Sequence, residues 1–360
     1  MTPTRLCILG CGGFIGSHLL DTVLADPSYT VAGIDVNADK IKHHLANPRL
    51  YFTKADIYTG NTVERAVETS DIVVSLAALC NPSLYNTVPL RVIENNFSHP
   101  RALVDLCAKR KKWLIHFSTC EVYGRTITGY AGRDAAHNPE PFIEDSSPYV
   151  LGPIGAQRWT YACAKQLLER LIYAYSFEQG LDYTIVRPFN FIGPRMDFIP
   201  GIDGEGVPRV IACFMEALLF NKPLKLVDGG GNRRAFTAIS DAVDAVMAMI
   251  KNPEQAKGQV FNIGNPNNET TIAGLAHRMK ELYQKIDKSA RGRAIEIRTV
   301  TSEEFYGKGY DDSDRRVPDI TKARRLLGWE PQTGLDEALR LTIASYIKEY
   351  KNRVPCGKRS

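Results

Sequence analysis

An α/β fold is predicted, a Rossmann-type doubly wound parallel sheet with a smaller C-terminal α/β substrate domain, and two observations predict it. Short runs rich in Val, Ile and Leu do not alternate with polar residues and are separated by helix-length segments, the pattern of parallel strands buried on both faces. The first run passes directly into a glycine-rich turn that opens a helical stretch, the entry to a βαβ unit. In chain order the runs are "RLCILG" at 5–10, "TVAGID" at 30–35, "DIVVSLAA" at 71–78, "WLIHFS" at 113–118 and "DYTIVRP" at 182–188.

The first strand ends in "GCGGFIGSHLL", with Gly10, Gly13 and Gly16 spaced as GxxGxxG. Gly10 is expected to permit the tight turn, Gly13 to let backbone approach a pyrophosphate and Gly16 to let helix pack on strand, with the helix N-terminus attracting the phosphates. Asp35 ends the second strand. A carboxylate there accepts bonds from both ribose hydroxyls and repels a 2′-phosphate, so the dinucleotide expected is NAD; an Asp that only caps the next turn is the plainer alternative. Asp56, after the third strand, is placed to reach the adenine amine or serves as a simple loop carboxylate.

After the 113–118 run, "FSTCEVYG" delivers Thr119, Cys120 and Glu121 to the carboxyl edge of the sheet, where open α/β folds place their sites. Thr119 is expected to hydrogen-bond a substrate hydroxyl undergoing oxidation. In "QRWTYACAKQLLERL", residues 157–171, Tyr161 and Lys165 stand four positions apart at the start of a helix. Leu167, Leu168 and Leu171 are expected to supply the apolar face, with the Tyr/Lys pair stacked on a neighbouring one. Free tyrosine titrates near about 10, and a nearby ammonium together with an oxidised nicotinamide favours the phenolate. The spacing alone also fits an aromatic anchor beside a solvated charge. In company with a dinucleotide turn and "FSTCEVYG" it points to acid–base chemistry.

Composition excludes other classes. The 45 basic and 40 acidic residues give a net charge of +5 dispersed along 360 residues, too dilute for a nucleic-acid surface. Eight cysteines lack CxxC spacings and the density of a secreted disulfide scaffold, so a reducing cytoplasm is expected, with no metal site. No stretch has the apolar length of a membrane span, and the N-terminus does not resemble a signal peptide. Cys7, Cys11, Cys107, Cys163, Cys213 and Cys356 are assigned to packing or chance, His116 to a structural role in a buried strand, and Trp159 and Phe189 to the walls of the site or to ordinary core.

The GxxGxxG turn, the Thr-bearing strand end and YxxxK together resemble the extended short-chain dehydrogenase/reductase family, whose members mostly act on nucleotide sugars. "RPFNFIGPRMD", "DGGGNRRAFTAISDAV", "FNIGNPNNETTI" and "LLGWEP" extend the resemblance over nearly the full chain. It implies an NAD-binding domain over 1–190, to which the chain returns around 235–260, and a mainly UDP-sugar-binding domain over 191–360. It also implies dinucleotide contacts at Phe14, Ile15, Ile57 and Lys165, and substrate contacts at Asn190, Arg209 and Arg234, an arginine being suited to bidentate phosphate recognition. Arg316, in "EFYGKGYDDSDRRVPD", falls where relatives acting on UDP-glucuronate carry an arginine facing the sugar carboxylate.

Within that family, "LAALCNPSLYNT", "FSTCEVYG" and "RWTYACAKQLLERL" with "FIPGIDGEGVPRV" resemble the UDP-glucuronate decarboxylases that form UDP-apiose and UDP-xylose, which carry Cys80, Cys120, Glu121 and Arg158 at the matching positions. The resemblance implies oxidation at C4, decarboxylation, then rearrangement and rereduction, with Cys80 and Cys120 as acid–base groups for ring opening, and a homodimer built on the Tyr161 helix and the helix near 98–110. A decarboxylase releasing UDP-4-keto-pentose and NADH, a UDP-xylose synthase only, and a non-enzymatic NAD-binding regulator are the alternatives. The segments 125–147 and 201–208 depart from the pattern, and both are expected to border the sugar pocket.

Overall fold

The structure, a computed structural model, describes residues 3–58, 61–127, 140–204, 206–307 and 311–353; Cys356 lies outside them, as do parts of the divergent 125–147 and 201–208 segments. Seven strands form one all-parallel sheet: β1 (Thr4–Leu9), β2 (Tyr29–Asp35), β3 (Leu50–Lys54), β4 (Ile72–Ser75), β5 (Trp113–Phe117), β6 (Tyr183–Pro188) and β7 (Gln259–Ile263). Across the sheet they run β7, β6, β5, β4, β1, β2, β3. Strand order therefore reverses between β1 and β4, and the crevice at their carboxyl ends is where such sheets bind ligands.

The unalternating apolar runs are explained by helices on both faces. On β1, Leu6 and Ile8 face one core together with helix α1 (Phe14–Ala25), while Cys7 and Leu9 face a second core with helix α2 (His99–Lys109) and helix α3 (Thr160–Gln179). β3 is the edge strand, and its exposed Tyr51, Thr53 and Lys54 fit that place. The chain returns to the first core through helix α4 (Ile239–Lys251) and β7, and again through Ile320–Trp329, which extends the expected return beyond 260.

A separate core forms around Ile211, Phe214, Leu275, Met279, Leu339 and Ile343, on helices Val210–Leu219, Ile272–Ile286 and Leu335–Tyr350. Three small sheets accompany it: Phe191–Ile192 with Thr237–Ala238, Leu224–Val227 with Ile297–Val300, and Arg233–Ala235 between Glu269–Thr271 and Arg315–Arg316. The last of these sets Arg234 beside Arg316 in register.

Helix α3 carries the Tyr/Lys pair and ends at Gly180, whose left-handed backbone (φ 70°) closes the last turn. Its inner face differs from the expectation. Tyr161, Ala164, Lys165, Leu168 and Ile172 are buried together, whereas Leu167 is half exposed on the opposite side. A buried ion pair one turn further on fixes the helix against β6: Arg187 Nη2 lies 2.6 Å from Glu169 Oε2, and the guanidinium sits 4.8 Å over the Tyr123 ring.

Candidate active site

On the cofactor side, Gly10 adopts φ +87°, which side chains other than glycine rarely tolerate, and a Cβ there would stand 3.0 Å from the Ala77 nitrogen. A Cβ on Gly16 would stand 2.2 Å from the Gly10 carbonyl oxygen, so this glycine lets α1 seat on the turn. Gly12, which the spacing did not single out, is tighter still, since its Cβ would lie 1.9 Å from the Asn37 oxygen. Gly13 caps α1 without a side-chain bond, and no acidic residue sits in the first turn, which leaves the helix N-terminus open to an anion.

Asp35 accepts from the Gly12 and Asn37 amides, both at 2.9 Å, and lines the same cleft as Gly12 and Gly13. It thus braces the turn, the plainer expectation, while still facing the crevice. A bare helix terminus, close-approach glycines and this carboxylate fit the dinucleotide NAD. Asp56 is exposed and accepts from the Tyr58 amide, and Ile57 packs into the second core. Phe14 and Ile15 are half-buried at the start of α1.

β5 ends just before Thr119, whose extended backbone points the chain into the crevice. Its hydroxyl accepts from the Glu121 amide at 3.1 Å and lies near enough to the Tyr161 phenol to lower its pKa. Lys165 lies one turn along α3, yet its Nζ donates to the Phe117 carbonyl at 2.9 Å rather than to the phenol. Burial pushes the Lys165 ammonium down to about 8. Burial also pushes Tyr161 well above its ordinary range, with Cys80 and Glu121 adding to the rise and Thr119 opposing it. The phenol is therefore neutral until further positive charge arrives.

Tyr85 was absent from the sequence expectation. It is fully buried and stacks on Tyr161, with centroids 5.2 Å apart and planes 9° from parallel, while Arg158 sits 5.3 Å from its ring centroid. Arg158 in turn forks Glu121, with Nη2 at 2.9 Å from Oε1 and Nη1 on Oε2. Arg316 reaches Glu121 at 3.2 Å and Asp312 at 2.5 Å, and Arg234 reaches Asp312 at 2.8 Å. Asp312 was likewise missed, although the acidic run before Arg315 and Arg316 was its only signal.

Among the described residues, three guanidiniums thus meet two carboxylates. Burial alone would raise Glu121, but Arg158 and Arg316 outweigh it and hold the carboxyl below its ordinary range. For Asp312 burial again acts upward, and Arg234, Arg316 and Arg158 overcome it.

The cleft is lined by Cys80, Glu121, Arg158, Asn190, Arg209, Arg234 and Arg316. Arg209 is held by Asp197 at 2.8 and 2.9 Å and lies 5.7 Å from the Phe14 ring centroid, between the glycine turn and the cleft. Asn190 takes a positive φ of 42° and donates to the Ala235 carbonyl at 2.9 Å. Part of the Arg234 guanidinium is committed to Asp312 and to the Ser313 carbonyl.

Burial pushes the Cys80 and Cys120 thiols up, away from neutrality, although Cys80 opens to the cleft. Cys163 is exposed and Cys213 lines the cleft. Trp159 and Phe189 are buried core residues; Trp159 donates to Asp311 at 2.9 Å. His116 is buried in β5, and burial depresses its pKa well below the ordinary value.

This fold and crevice define a class: the chain belongs to the NAD dependent epimerase/dehydratase family, whose model matches residues 6–264. Within that class the chain is 50% identical to UDP-D-apiose/UDP-D-xylose synthase 1 of Arabidopsis thaliana, over 98% of this chain and 93% of the relative. It is 48% identical to UDP-D-apiose/UDP-D-xylose synthase of Oryza sativa subsp. japonica, over 98% and 92%. Among solved structures, PbgP3 protein from Burkholderia pseudomallei superposes with a TM-score of 0.82 at 34% identity, covering 97% of each chain. UDP-glucuronic acid 4-epimerase from Bacillus cereus, solved with UDP-glucuronic acid and NAD, shares the fold at a TM-score of 0.78 and 24% identity, over 96% of this chain and 100% of that one.

Proposed function

We propose that the chain binds UDP-glucuronate in this cleft and, with NAD, converts it to UDP-apiose and/or UDP-xylose. The observation that carries the reading is the convergence of the Arg158, Arg234 and Arg316 guanidiniums within one cleft-lining network that reaches Tyr161 through Tyr85. A neutral hexose needs no such charge. The relatives with half their residues identical are named for this pair of products.

Bound NAD supplies the capacity to take a hydride from C4 of the sugar and return it. The protein does the rest. The helix N-terminus at Gly13 and the carboxylate of Asp35 hold the dinucleotide, and Lys165 is the nearest ammonium on the helix that carries Tyr161. Thr119 orients the 4-hydroxyl and Tyr161 takes its proton. Arg158 and Arg316 hold the sugar carboxylate, and the β-keto acid then loses carbon dioxide because the new C4 carbonyl accepts the electrons.

Glu121 disfavours a second carboxylate beside it and so favours the loss of that charge. Cys80 and Cys120 flank the sugar for opening between C2 and C3, which leads to the branched product; return of the hydride without opening gives UDP-xylose. Asn190, Arg209 and Arg234 hold the diphosphate side.

In the same reading, residues 1–190 with the later returns form the cofactor half and most of 191–360 the sugar-nucleotide half. A homodimer joins through α2 and α3, whose outer face shows Leu167, Tyr173 and the 81% exposed Phe177. The seven described cysteines are free, in keeping with the cytoplasm, and no helix among the described residues is long and apolar enough to cross a membrane.

Mass spectrometry and NMR of the products formed from UDP-glucuronate with catalytic NAD⁺ test the reading. Carbon dioxide with UDP-apiose or UDP-xylose is expected. Stoichiometric NADH with UDP-4-keto-pentose would replace it with the releasing decarboxylase, and the absence of any carbon dioxide would defeat both.

A further inference from the structure

Outside the catalytic cleft, α1 and the 3-10 helix Asp39–His44 bring three ligand-type side chains to one point. Asp21 Oδ1 accepts from His43 Nε2 at 2.9 Å and from His44 Nε2 at 2.7 Å. All three ligand atoms lie within 4.8 Å of one another, and the two imidazole centroids are 4.1 Å apart. Arg195 pairs with the other carboxylate oxygen, Oδ2, so Oδ1 faces the imidazoles alone.

We propose that Asp21, His43 and His44 form a site for a divalent transition-metal ion of the zinc class, bound through Oδ1 and the two Nε2 atoms with water in the open positions. Two imidazoles and one carboxylate suit zinc, nickel or copper and not magnesium or calcium, which take oxygen ligands. Metal–ligand distances of about 2.0–2.2 Å in a tetrahedral site place donor atoms roughly 3.3 Å apart. The present 2.7 and 2.9 Å contacts therefore open by about half an ångström, a small shift for side chains 54% and 37% exposed at His43 and Asp21.

The proton balance closes without an added acid or base. Both present hydrogen bonds place a hydrogen on Nε2, which on metal binding moves through solvent to Nδ1. Arg195 keeps Oδ2, so the carboxylate bridges metal and guanidinium.

The site also sits where it touches the cofactor half. His43 lines the same cleft as Gly12, Gly13 and Asp35. From the same 3-10 helix, Lys40 Nζ donates to the Met196 carbonyl at 2.9 Å, and Arg195 donates to the Lys40 carbonyl at 3.2 Å. The metal ties this wall to α1.

Titration of the full, untagged chain with Co²⁺, followed by visible absorption and then displacement with Zn²⁺, tests the site. One saturable equivalent per chain with an imidazole-ligated spectrum is expected, and His43→Gln or His44→Gln should each weaken binding by roughly tenfold or more, since even outer partners of metal ligands cost about 10–100-fold. His277→Gln, on an exposed helical position elsewhere, should leave it unchanged. Absence of a saturable site, or equal affinity in the His43→Gln/His44→Gln double variant, overturns the proposal.

Discussion

Removing one guanidinium from the cleft should weaken its preference for an acidic sugar. Arg158, Arg234 and Arg316 face Glu121 and Asp312, so Arg316→Met removes one of three guanidinium charges from the cluster. Both carboxylates keep a partner, Glu121 through Arg158 and Asp312 through Arg234, which protects the fold. Two unit charges 4 Å apart at an effective dielectric of about 20 interact by about 4 kcal/mol. With Arg158 still in place, about half of that is lost, roughly 2 kcal/mol or about thirtyfold in Kd.

The assay is calorimetric titration of the NAD-loaded protein in a Tyr161→Phe background, which prevents turnover during the measurement. UDP-glucuronate should weaken by about thirtyfold, whereas UDP-glucose, which lacks the carboxylate, should change by less than about threefold. Arg316→Lys should fall between, because it keeps the charge and loses the planar fork. Equal weakening of both sugars, or none of either, refutes the assignment of the carboxylate to this cluster.

Other perturbations test the remaining parts. Tyr161→Phe should abolish turnover while leaving UDP binding intact, checked by product formation and by calorimetry. Lys165→Met should stabilise the cofactor-free protein near pH 7 even as it removes turnover. The ammonium falls from 10.5 in the unfolded chain to about 8 in the fold, so the full penalty of about 3 kcal/mol acts below pH 8 and fades as pH rises toward 10.5. Stranding the Phe117 carbonyl offsets about 1–2 kcal/mol, which leaves a net gain of about 1–2 kcal/mol at pH 7 that denaturant unfolding should show shrinking or reversing at pH 9.5. Gly16→Ala should cost about 1–3 kcal/mol by overpacking and weaken NAD binding, because the new Cβ meets the Gly10 carbonyl at 2.2 Å; unchanged cofactor affinity by fluorescence titration would contradict it.

The elements legible in the sequence are those whose signal is local. Buried strands such as "WLIHFS" read as unbroken apolar runs because helices cover both faces, and β5 indeed spans Trp113–Phe117. β3 alternates and lies exposed at the edge, so its apolar signal is weak. Gly10 and Gly16 were visible from spacing, whereas Gly12 was not, because its constraint comes from Asn37, which arrives only when β2 pairs with β1.

The same holds at the site. Tyr161 and Lys165 share a helix and were found together, while Tyr85 and Asp312 join them across 76 and 151 positions of chain, which no periodicity encodes. The expected apolar face of α3 failed at Leu167 for a related reason. A helix apolar on several sides does not reveal which side meets the sheet.

The most direct measurement is a crystal structure of the Tyr161→Phe variant with NAD and UDP-glucuronate bound. The sugar carboxylate should lie on Arg316 and Arg158, with the 4-hydroxyl within hydrogen-bond reach of Thr119 and facing ring 161. A carboxylate turned to solvent, or a C4 remote from position 161 and the nicotinamide, would contradict the account.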